Sequence, residues 1–163
     1  MIFIFDNMTD PLDFATIIFV AFESPETHKF VFVGKPKEFY FELLTKDKIR
    51  SFLQTYYPNL GVDFKKEIGK RFYFVDDFNT VIRLFRKKKY DIIGTTPNKD
   101  ESTDVFAERF DEKSVFVFGS ENGLSKAKKD MLARLVHYPL KKAKFLKIRH
   151  VLPLFHSAVR RKA

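Results

Sequence analysis

The sequence SVFVFGSENGLS, residues 114–125, decides the fold. Its apolar first half is typical of a strand that is buried on both faces of a parallel sheet. Gly119 and Gly123 then bracket Glu121, and a helical pattern follows over residues 126–134. Because glycine lets a backbone turn sharply and approach a ligand closely, the pattern predicts either a ligand-binding loop or an ordinary strand-to-helix turn.

Two common phosphate-binding motifs do not fit this loop. No Gly-Lys-Ser/Thr follows it, as a P-loop requires, and the third glycine of the dinucleotide fingerprint G-x-G-x-x-G is missing. Glu121 would also repel a diphosphate. A carboxylate among backbone N–H groups better suits a ligand that carries hydroxyl groups or a positive sulfonium.

Strand and helix patterns alternate on both sides of this loop. Apolar runs predict six strands, and amphipathic or capped segments predict the helices between them. The predicted strands cover residues 2–5, 29–34, 71–75, 90–95, 114–119 and 135–138. The predicted helices cover residues 11–23, 36–57 with a break near Lys46, 76–88, 105–110, 126–134 and a segment between 148 and 161. This alternation predicts a single α/β domain over residues 1–163, with a mostly parallel sheet and helices on both faces.

The composition excludes several classes of protein. Because cysteine is absent, the chain can hold no disulfide scaffold, zinc ribbon or cysteine nucleophile. No histidine–carboxylate cluster has the spacing of a metal site. No stretch approaches the ~20 apolar residues that span a bilayer, and the apolar start is too short for a signal peptide. We therefore expect a cytoplasmic protein with no metal and no membrane partner.

The net charge of +9 predicts an anionic partner. Residues 131–163 contain nine Lys and Arg and no Asp or Glu, so basic groups concentrate toward the C-terminus. Such groups hold phosphates without reading sequence, although a solvated surface has a similar composition. The candidates for RNA contacts are Lys141, Lys142, Lys144, Arg160 and Arg161. A second basic run, residues 86–89, is more typical of a solvated helix end.

Ligands of open α/β sheets bind outside the carboxyl ends of the strands. Three predicted strand ends carry polar or glycine-rich sequence: residues 6–11, residues 94–96 and residues 118–125. These three segments are the candidate ligand-binding loops.

The loop sequence resembles a known family. FGSENGLS, residues 118–125, resembles the second motif of the SpoU-type (SPOUT superfamily) RNA 2′-O-ribose methyltransferases, F-G-x-E-x-x-G-L, and is one residue shorter. FIFDNMTDPLDFATIIFVAF, residues 3–22, is similar to their first motif, D-N-x-x-x-P-x-N-x-G-x-I-x-R. VHYPLKKAKFLKIRHVLPLF, residues 136–155, is similar to their third motif, I-P-M followed by S-L-N-x-S. The order and spacing of the three motifs fit, and the resemblance covers essentially the whole chain.

The resemblance implies both a fold and an activity. Family members carry a C-terminal trefoil knot, a rare exception to the rule that chains are unknotted, and S-adenosylmethionine lies bent in that knot. They are homodimers, RNA crosses the dimer face, and the product is a 2′-O-methylated ribose in tRNA or rRNA. We therefore expect an S-adenosylmethionine-dependent RNA methyltransferase that forms a homodimer.

The resemblance also implies which residues form the site. The residues that match the cofactor loops, or lie at the neighbouring strand end, are Thr95, Thr96, Gly119, Glu121, Gly123, Leu124, Pro139, Leu140 and Leu146. A base must take the proton of the ribose hydroxyl and a cation must stabilise the alkoxide. The candidates for the chemistry are Glu121, Lys147 and Arg149.

Several motif positions depart from the family pattern. In the first motif Asp13 replaces asparagine, Ala15 replaces glycine and Phe19 replaces the arginine that positions the ribose hydroxyl. In the third motif Phe145 replaces serine and Lys147 replaces asparagine. Three hypotheses follow: a methyltransferase with an altered active site, a catalytically inactive RNA-binding relative, and an unrelated α/β protein such as a nucleotide-binding domain.

Overall fold

A computed structural model of the chain describes residues 1–120, 123–140 and 147–162, and of residues 161 and 162 the backbone only. Within these residues the strands are β1 (Ile2–Asp6), β2 (Lys29–Val33), β3 (Phe72–Val75), β4 (Asp91–Thr95), β5 (Thr103–Asp104), β6 (Ser114–Phe118) and β7 (Arg134–His137). The helices are α1 (Pro11–Glu23), α2 (Lys37–Leu44), α3 (Asp47–Tyr56), α4 (Leu60–Glu67), α5 (Phe78–Lys87), α6 (Lys126–Lys129) and α7 (Ile148–Lys162).

The described strands form one parallel sheet in the order β3-β2-β1-β6-β4-β7-β5. The chain runs outward from β1 to β3, continues at β4 on the other side, and inserts β6 between β1 and β4. The strand order therefore reverses between β1 and β6, where doubly wound sheets bind their ligands.

The sheet is buried on both faces. Phe3 and Phe5 of β1 point to one face and join a ladder of stacked rings across the sheet, with ring centroids of Phe3 5.4 Å from Phe30 and 5.7 Å from Phe116. Helices α1, α2, α3, α4 and α7 supply the rest of that core, and α5 packs on the opposite face over Ile4 and Val117. The predicted α/β class, with helices on both faces of a mostly parallel sheet, is confirmed.

Some predicted element boundaries were wrong. The helix predicted over residues 126–134 ends at Lys129, because Arg134 already belongs to β7, where its guanidinium binds Asp91 at 2.7 Å. Helix α4 was not predicted, because the sequence of residues 58–61 is typical of a turn, and neither was the two-residue strand β5. The break predicted near Lys46 is confirmed as the gap between α2 and α3.

Two other expectations have different outcomes. The predicted trefoil knot depends on the path of residues 141–146, which lie outside the described residues, and it stays a prediction. No helix in the described ranges is long and apolar enough to cross a membrane.

Candidate functional site

The predicted cofactor residues lie in three segments, at the carboxyl ends of three neighbouring strands. Strands β6, β4 and β7 lie side by side in the sheet, and adjacent parallel strands are about 4.8 Å apart. The sheet therefore brings together the loop that starts at Gly119, the pair Thr95 and Thr96, and the segment that contains Pro139 and Leu140. Because all the strands are parallel, these residues share the carboxyl edge.

The loop after β6 folds tightly against itself. A Cβ atom added to Gly119 would lie 2.4 Å from the carbonyl carbon of Gly123 and 2.5 Å from the backbone nitrogen of Leu124, so only glycine fits. Gly123 has a φ of +76° and donates its N–H to the Ser120 carbonyl at 2.8 Å. Leu124 then turns into the core and is buried. Glu121, between these glycines, lies outside the described residues.

Thr95 and Thr96 are buried, and their hydroxyl protons are engaged within the protein. The Thr95 hydroxyl donates to the carbonyl of Val117 at 2.9 Å, which ties β4 to β6. The Thr96 hydroxyl donates to the Glu101 carboxylate at 3.0 Å. A hydrogen bond from the Lys129 ammonium in turn lowers the pKa of the Glu101 carboxyl. These contacts hold the strand ends in place, so a ligand would meet backbone groups and the remaining hydroxyl lone pairs.

The segment after β7 forms the third part of the edge. Pro139 and Leu140 are half-buried, and the N–H of Leu140 donates to the Tyr138 carbonyl at 2.8 Å. Leu140 also packs against the main core. The predicted cofactor residue Leu146 and the predicted RNA contacts Lys141, Lys142 and Lys144 lie outside the described residues, as does the side chain of Arg161.

Helix α7 is joined to α1 by carboxylates. Asp10 caps α1 by accepting the N–H groups of Leu12 and Asp13 at 2.8 and 3.1 Å. The buried Asp13 accepts the backbone N–H of Arg149 at 3.0 Å, at the positive end of α7. The Arg149 guanidinium lies 3.1 Å from Asp10 and 3.6 Å from Asp13. The replacement of the family's asparagine by Asp13 therefore fixes a cation beside the loop that follows β1.

Phe19, at the position of the family's arginine, has a packing role. Its ring makes edge contacts with Tyr56 and Tyr57, with centroid distances of 5.6 and 6.2 Å. It carries no group that could donate a hydrogen bond. Lys147, half-buried immediately before α7, is the other described candidate for the chemistry.

One ion pair at this edge was not found from the sequence. Asp6, at the end of β1, is buried and accepts a hydrogen bond from the Lys128 ammonium at 2.6 Å, while this ammonium lies 5.0 Å from the Phe78 ring centroid. The sequence shows that the carboxylate of Asp6 ends a predicted buried strand, but it does not indicate that Lys128 is its partner. Across the part of the chain that the structure describes, no three His, Asp or Glu side chains could hold a metal ion.

Known structures with this architecture were found by comparison. The SpoU methyltransferase AviRb from Streptomyces viridochromogenes, in complex with AdoMet, superposes with a TM-score of 0.68 at 19% identity. An RNA 2′-O ribose methyltransferase gives 0.71 at 14%, and a structure concerning the 2-OH methylation of C/U34 on tRNA gives 0.72 at 13%. Each covers 99% of this chain.

The chain has the fold of the SpoU methyltransferases. It spans 60% and 56% of the first two structures and 94% of the third. No protein-family model matches the sequence, and no curated protein matches it either. The TM-scores of 0.68 to 0.72 establish the fold, while the identities are only 13–19%. A shared fold does not by itself fix an activity. The activity must therefore be argued from the site.

Proposed function

We propose that the chain is an S-adenosylmethionine-dependent RNA ribose 2′-O-methyltransferase with an altered active site. The observation that carries the proposal is that the three segments of predicted cofactor residues follow adjacent strands at the carboxyl edge of a SpoU-fold sheet. AviRb, which has the same fold, was solved in complex with AdoMet. The RNA is proposed to be a tRNA or an rRNA.

The loop after β6 supports the choice of cofactor. A side chain at Gly119 would collide with the backbone of Gly123 and Leu124, so glycine is required here for the tight turn. We propose that the backbone of this turn faces the cofactor. We expect Glu121 to bind ligand hydroxyls or the positive sulfonium. Pro139, Leu140 and Leu146 are proposed to contact the apolar parts of the cofactor, and Thr95 and Thr96 to line the neighbouring strand end.

The chemistry needs a proton acceptor and a stabilising cation. When bound, S-adenosylmethionine supplies an electrophilic methyl group. The methyl carbon would pass to the 2′-oxygen as its bond to sulfur breaks, and the demethylated thioether would be the leaving group. The hydroxyl proton would pass to a base, which we propose is Glu121 or Lys147. Arg149, held by Asp10 and Asp13, is proposed to stabilise the developing alkoxide in place of the missing family arginine.

A catalytically inactive RNA-binding protein is the alternative function. Phe19 is occupied by packing against tyrosines, so the family's arginine has no substitute at its own position. Phe145 and Lys147 replace two further polar residues of the third motif. This alternative predicts RNA binding without transfer of a methyl group.

A homodimer is also proposed, through a groove between α1 and α7. This α1–α7 groove has a volume of about 510 Å³. It is lined by Phe19, Val20, Glu23, Pro153, His156, Ser157 and Arg160. Its apolar surface continues onto α3, where the exposed rings of Tyr56 and Phe52 lie 5.7 Å apart. Apolar patches of this kind mark interaction sites, and Arg160 at the rim is a candidate for an RNA phosphate.

Cofactor binding is tested by calorimetric titration with S-adenosylmethionine and its demethylated product. We expect micromolar affinity, weakened about tenfold or more by Gly119→Val, which forces the loop open, or by Glu121→Arg, which reverses its charge. Gly61→Val is the matched control, because Gly61 has no atom within 4 Å of an added Cβ. Circular dichroism checks that each variant is folded. No binding at millimolar ligand would refute the methyltransferase proposal.

Incubation of the protein with total RNA and S-adenosylmethionine distinguishes an active methyltransferase from an inactive RNA-binding protein. Mass spectrometry of the digested RNA would detect new 2′-O-methyl nucleosides if the chain is an enzyme. Arg149→Gln should then lower the rate by roughly a hundredfold or more, as expected for loss of a group that stabilises an oxyanion. Cofactor binding without any new methylated nucleoside would favour the RNA-binding alternative.

A further inference from the structure

A second cleft lies on the face of the sheet opposite the α1–α7 groove. This α5 cleft, between α5 and strands β1 to β3, has a volume of about 330 Å³. It is lined by Ile2 and Lys29, the first residues of β1 and β2, and by Val31 in the middle of β2. The candidate cofactor loops leave the carboxyl ends of the strands, and a five-residue strand spans roughly 15 Å, so the two sites are separate.

The side walls of the α5 cleft are aromatic and its mouth is basic. Tyr73 and Tyr90 both line the cleft, and the Phe85 ring contacts Tyr90 edge-on at 5.3 Å between centroids. The Lys29 ammonium lies 5.7 Å from the Tyr73 ring centroid, and the Lys113 ammonium lies 5.6 Å from that of Tyr90. Each tyrosine therefore combines a π face with an adjacent cation.

The lysines at this mouth are not neutralised. Lys29, Lys88 and Lys113 are exposed, and none of them forms an ion pair with any residue of the described ranges. The neighbouring carboxylates are otherwise engaged, since Asp91 binds Arg134 and Glu112 binds the N-terminal ammonium. The cleft thus presents uncompensated positive charge around apolar lining residues.

The end of α5 adds further cations. Residues 86–89 are four consecutive basic residues, and α5 ends at Lys87, with Lys88 as its C-cap. Lys89 has a φ of +66°, at a position where glycine is the usual residue. Its N–H donates to the Arg86 carbonyl at 3.0 Å, and the N–H of Tyr90 donates to the Phe85 carbonyl at 3.0 Å. The reversal places Tyr90 in the cleft and the basic run beside it.

We propose that the α5 cleft is a nucleic-acid site, in which a base of a single-stranded segment stacks on Tyr73 or Tyr90 while Lys29, Lys88 and Lys113 hold the flanking phosphates. Flat aromatic walls suit a nucleobase, and spaced ammonium groups suit a polyphosphate chain. The volume is near the lower end of the roughly 300–1,000 Å³ of small-molecule pockets, which is enough for a base. A duplex is excluded because its bases are paired and stacked. The site requires neither cofactor binding nor methyl transfer.

The test measures fluorescence anisotropy of a labelled twelve-nucleotide oligouridine with the full chain. Lys88→Glu should weaken binding clearly more than Lys48→Glu, which makes the same charge change on the exposed surface of α3, across the sheet. Lys88→Ala should lower the slope of log affinity against log salt by about 0.7, as expected for one single-strand phosphate contact. Equal losses for Lys88→Glu and Lys48→Glu would overturn the proposal, since net charge alone would then explain binding.

A matched pair of substitutions at Tyr73 tests whether a base stacks on its ring. Tyr73→Leu or Tyr90→Leu should weaken binding roughly five- to a hundredfold by removing a stacking surface, whereas Tyr73→Phe should retain it. Oligouridine that contains 4-thiouridine should crosslink, on irradiation, to peptides that contain Tyr73 or Tyr90. Crosslinks confined to residues 134–162, or displacement of the RNA by an equal charge concentration of polyglutamate, would overturn the proposal. Neither result depends on S-adenosylmethionine, so failure here leaves the proposed function untouched.

Discussion

At the scale of single residues, burial has its largest effect on two histidines. His156 places its Nε2 atom 3.0 Å from the Ser24 hydroxyl oxygen and 3.3 Å from Nδ1 of His28, and both rings pack on Phe3. Burial lowers the pKa of His28 from 6.5 to about 4 and that of His156 to about 3. The positive charges of Arg160 and the N-terminus contribute to both of these lowered pKa values. Both imidazoles are therefore neutral in the folded protein at neutral pH.

This histidine pair predicts acid destabilisation. The unfolded chain takes up protons below its ordinary histidine pKa of 6.5 while the folded chain does not. The contribution to stability is therefore complete above pH 6.5 and is lost as the pH falls toward 4. We expect the free energy of unfolding in urea to drop by roughly 2–4 kcal/mol between pH 7 and pH 5.

The control for this prediction is an exposed histidine. His28→Gln combined with His156→Gln should flatten the pH dependence, although this variant starts from a lower stability, whereas His150→Gln at an exposed position should leave it unchanged. An unchanged slope in the double variant would show that other groups cause the acid sensitivity.

At the scale of elements, α7 contains a proline at its sixth residue. Helix α7 covers Ile148–Lys162, and Pro153 lies inside it. The helix continues through the proline to Lys162. Pro153 has no N–H, so the carbonyl of Arg149 lacks its usual partner four residues on, and a proline within a helix costs about 3 kcal/mol.

Pro153→Ala should therefore stabilise the protein, by up to about 3 kcal/mol. The measurement is the free energy of unfolding in urea at fixed pH. Lys65→Ala, at an exposed position on α4 and outside the α1–α7 groove, is the control and should change stability by less than about 0.5 kcal/mol. A destabilised Pro153→Ala protein would mean that the proline ring makes contacts that outweigh the missing hydrogen bond.

Local sequence patterns predicted the bounds of those strands and helices whose own residues determine them. Strands β1, β2 and β6 are continuous apolar runs because both of their faces are buried, and their predicted bounds agree with the structure to within one residue. Helix α6 was predicted five residues too long, because the competing pull on Arg134 comes from Asp91 and Glu108 in other segments. Such long-range ion pairs leave no periodic signal.

The same distinction applies to the candidate site. Gly119 and Gly123 were found because a tight loop restricts its residue types locally. The bonds from Asp13 to Arg149 and from Asp6 to Lys128 join residues more than a hundred positions apart. A single sequence can supply the candidates for such pairs, while only the fold assigns the partners.

At the scale of the whole molecule, the chain exposes large apolar side chains on α1, α3 and α7. Leu12 is 50% exposed on α1, Leu154 is 45% exposed on α7, and Phe52 and Tyr56 are more than half exposed on α3. Phe19 joins α1 to α3 through its ring contact with Tyr56. These residues lie on the helices around the α1–α7 groove, and a two-fold axis there would bury the same patch on both copies.

The proposed homodimer is tested by light scattering coupled to size-exclusion chromatography over a range of protein concentrations. Leu154→Arg should shift the protein from dimer to monomer, because it places a charge in an apolar interface. Val62→Asp, a similar change at the exposed position on α4, should leave the dimer intact. A wild-type protein that stays monomeric at every concentration would refute the dimer. Dissociation by both variants would place the interface elsewhere, since α4 lies outside the α1–α7 groove.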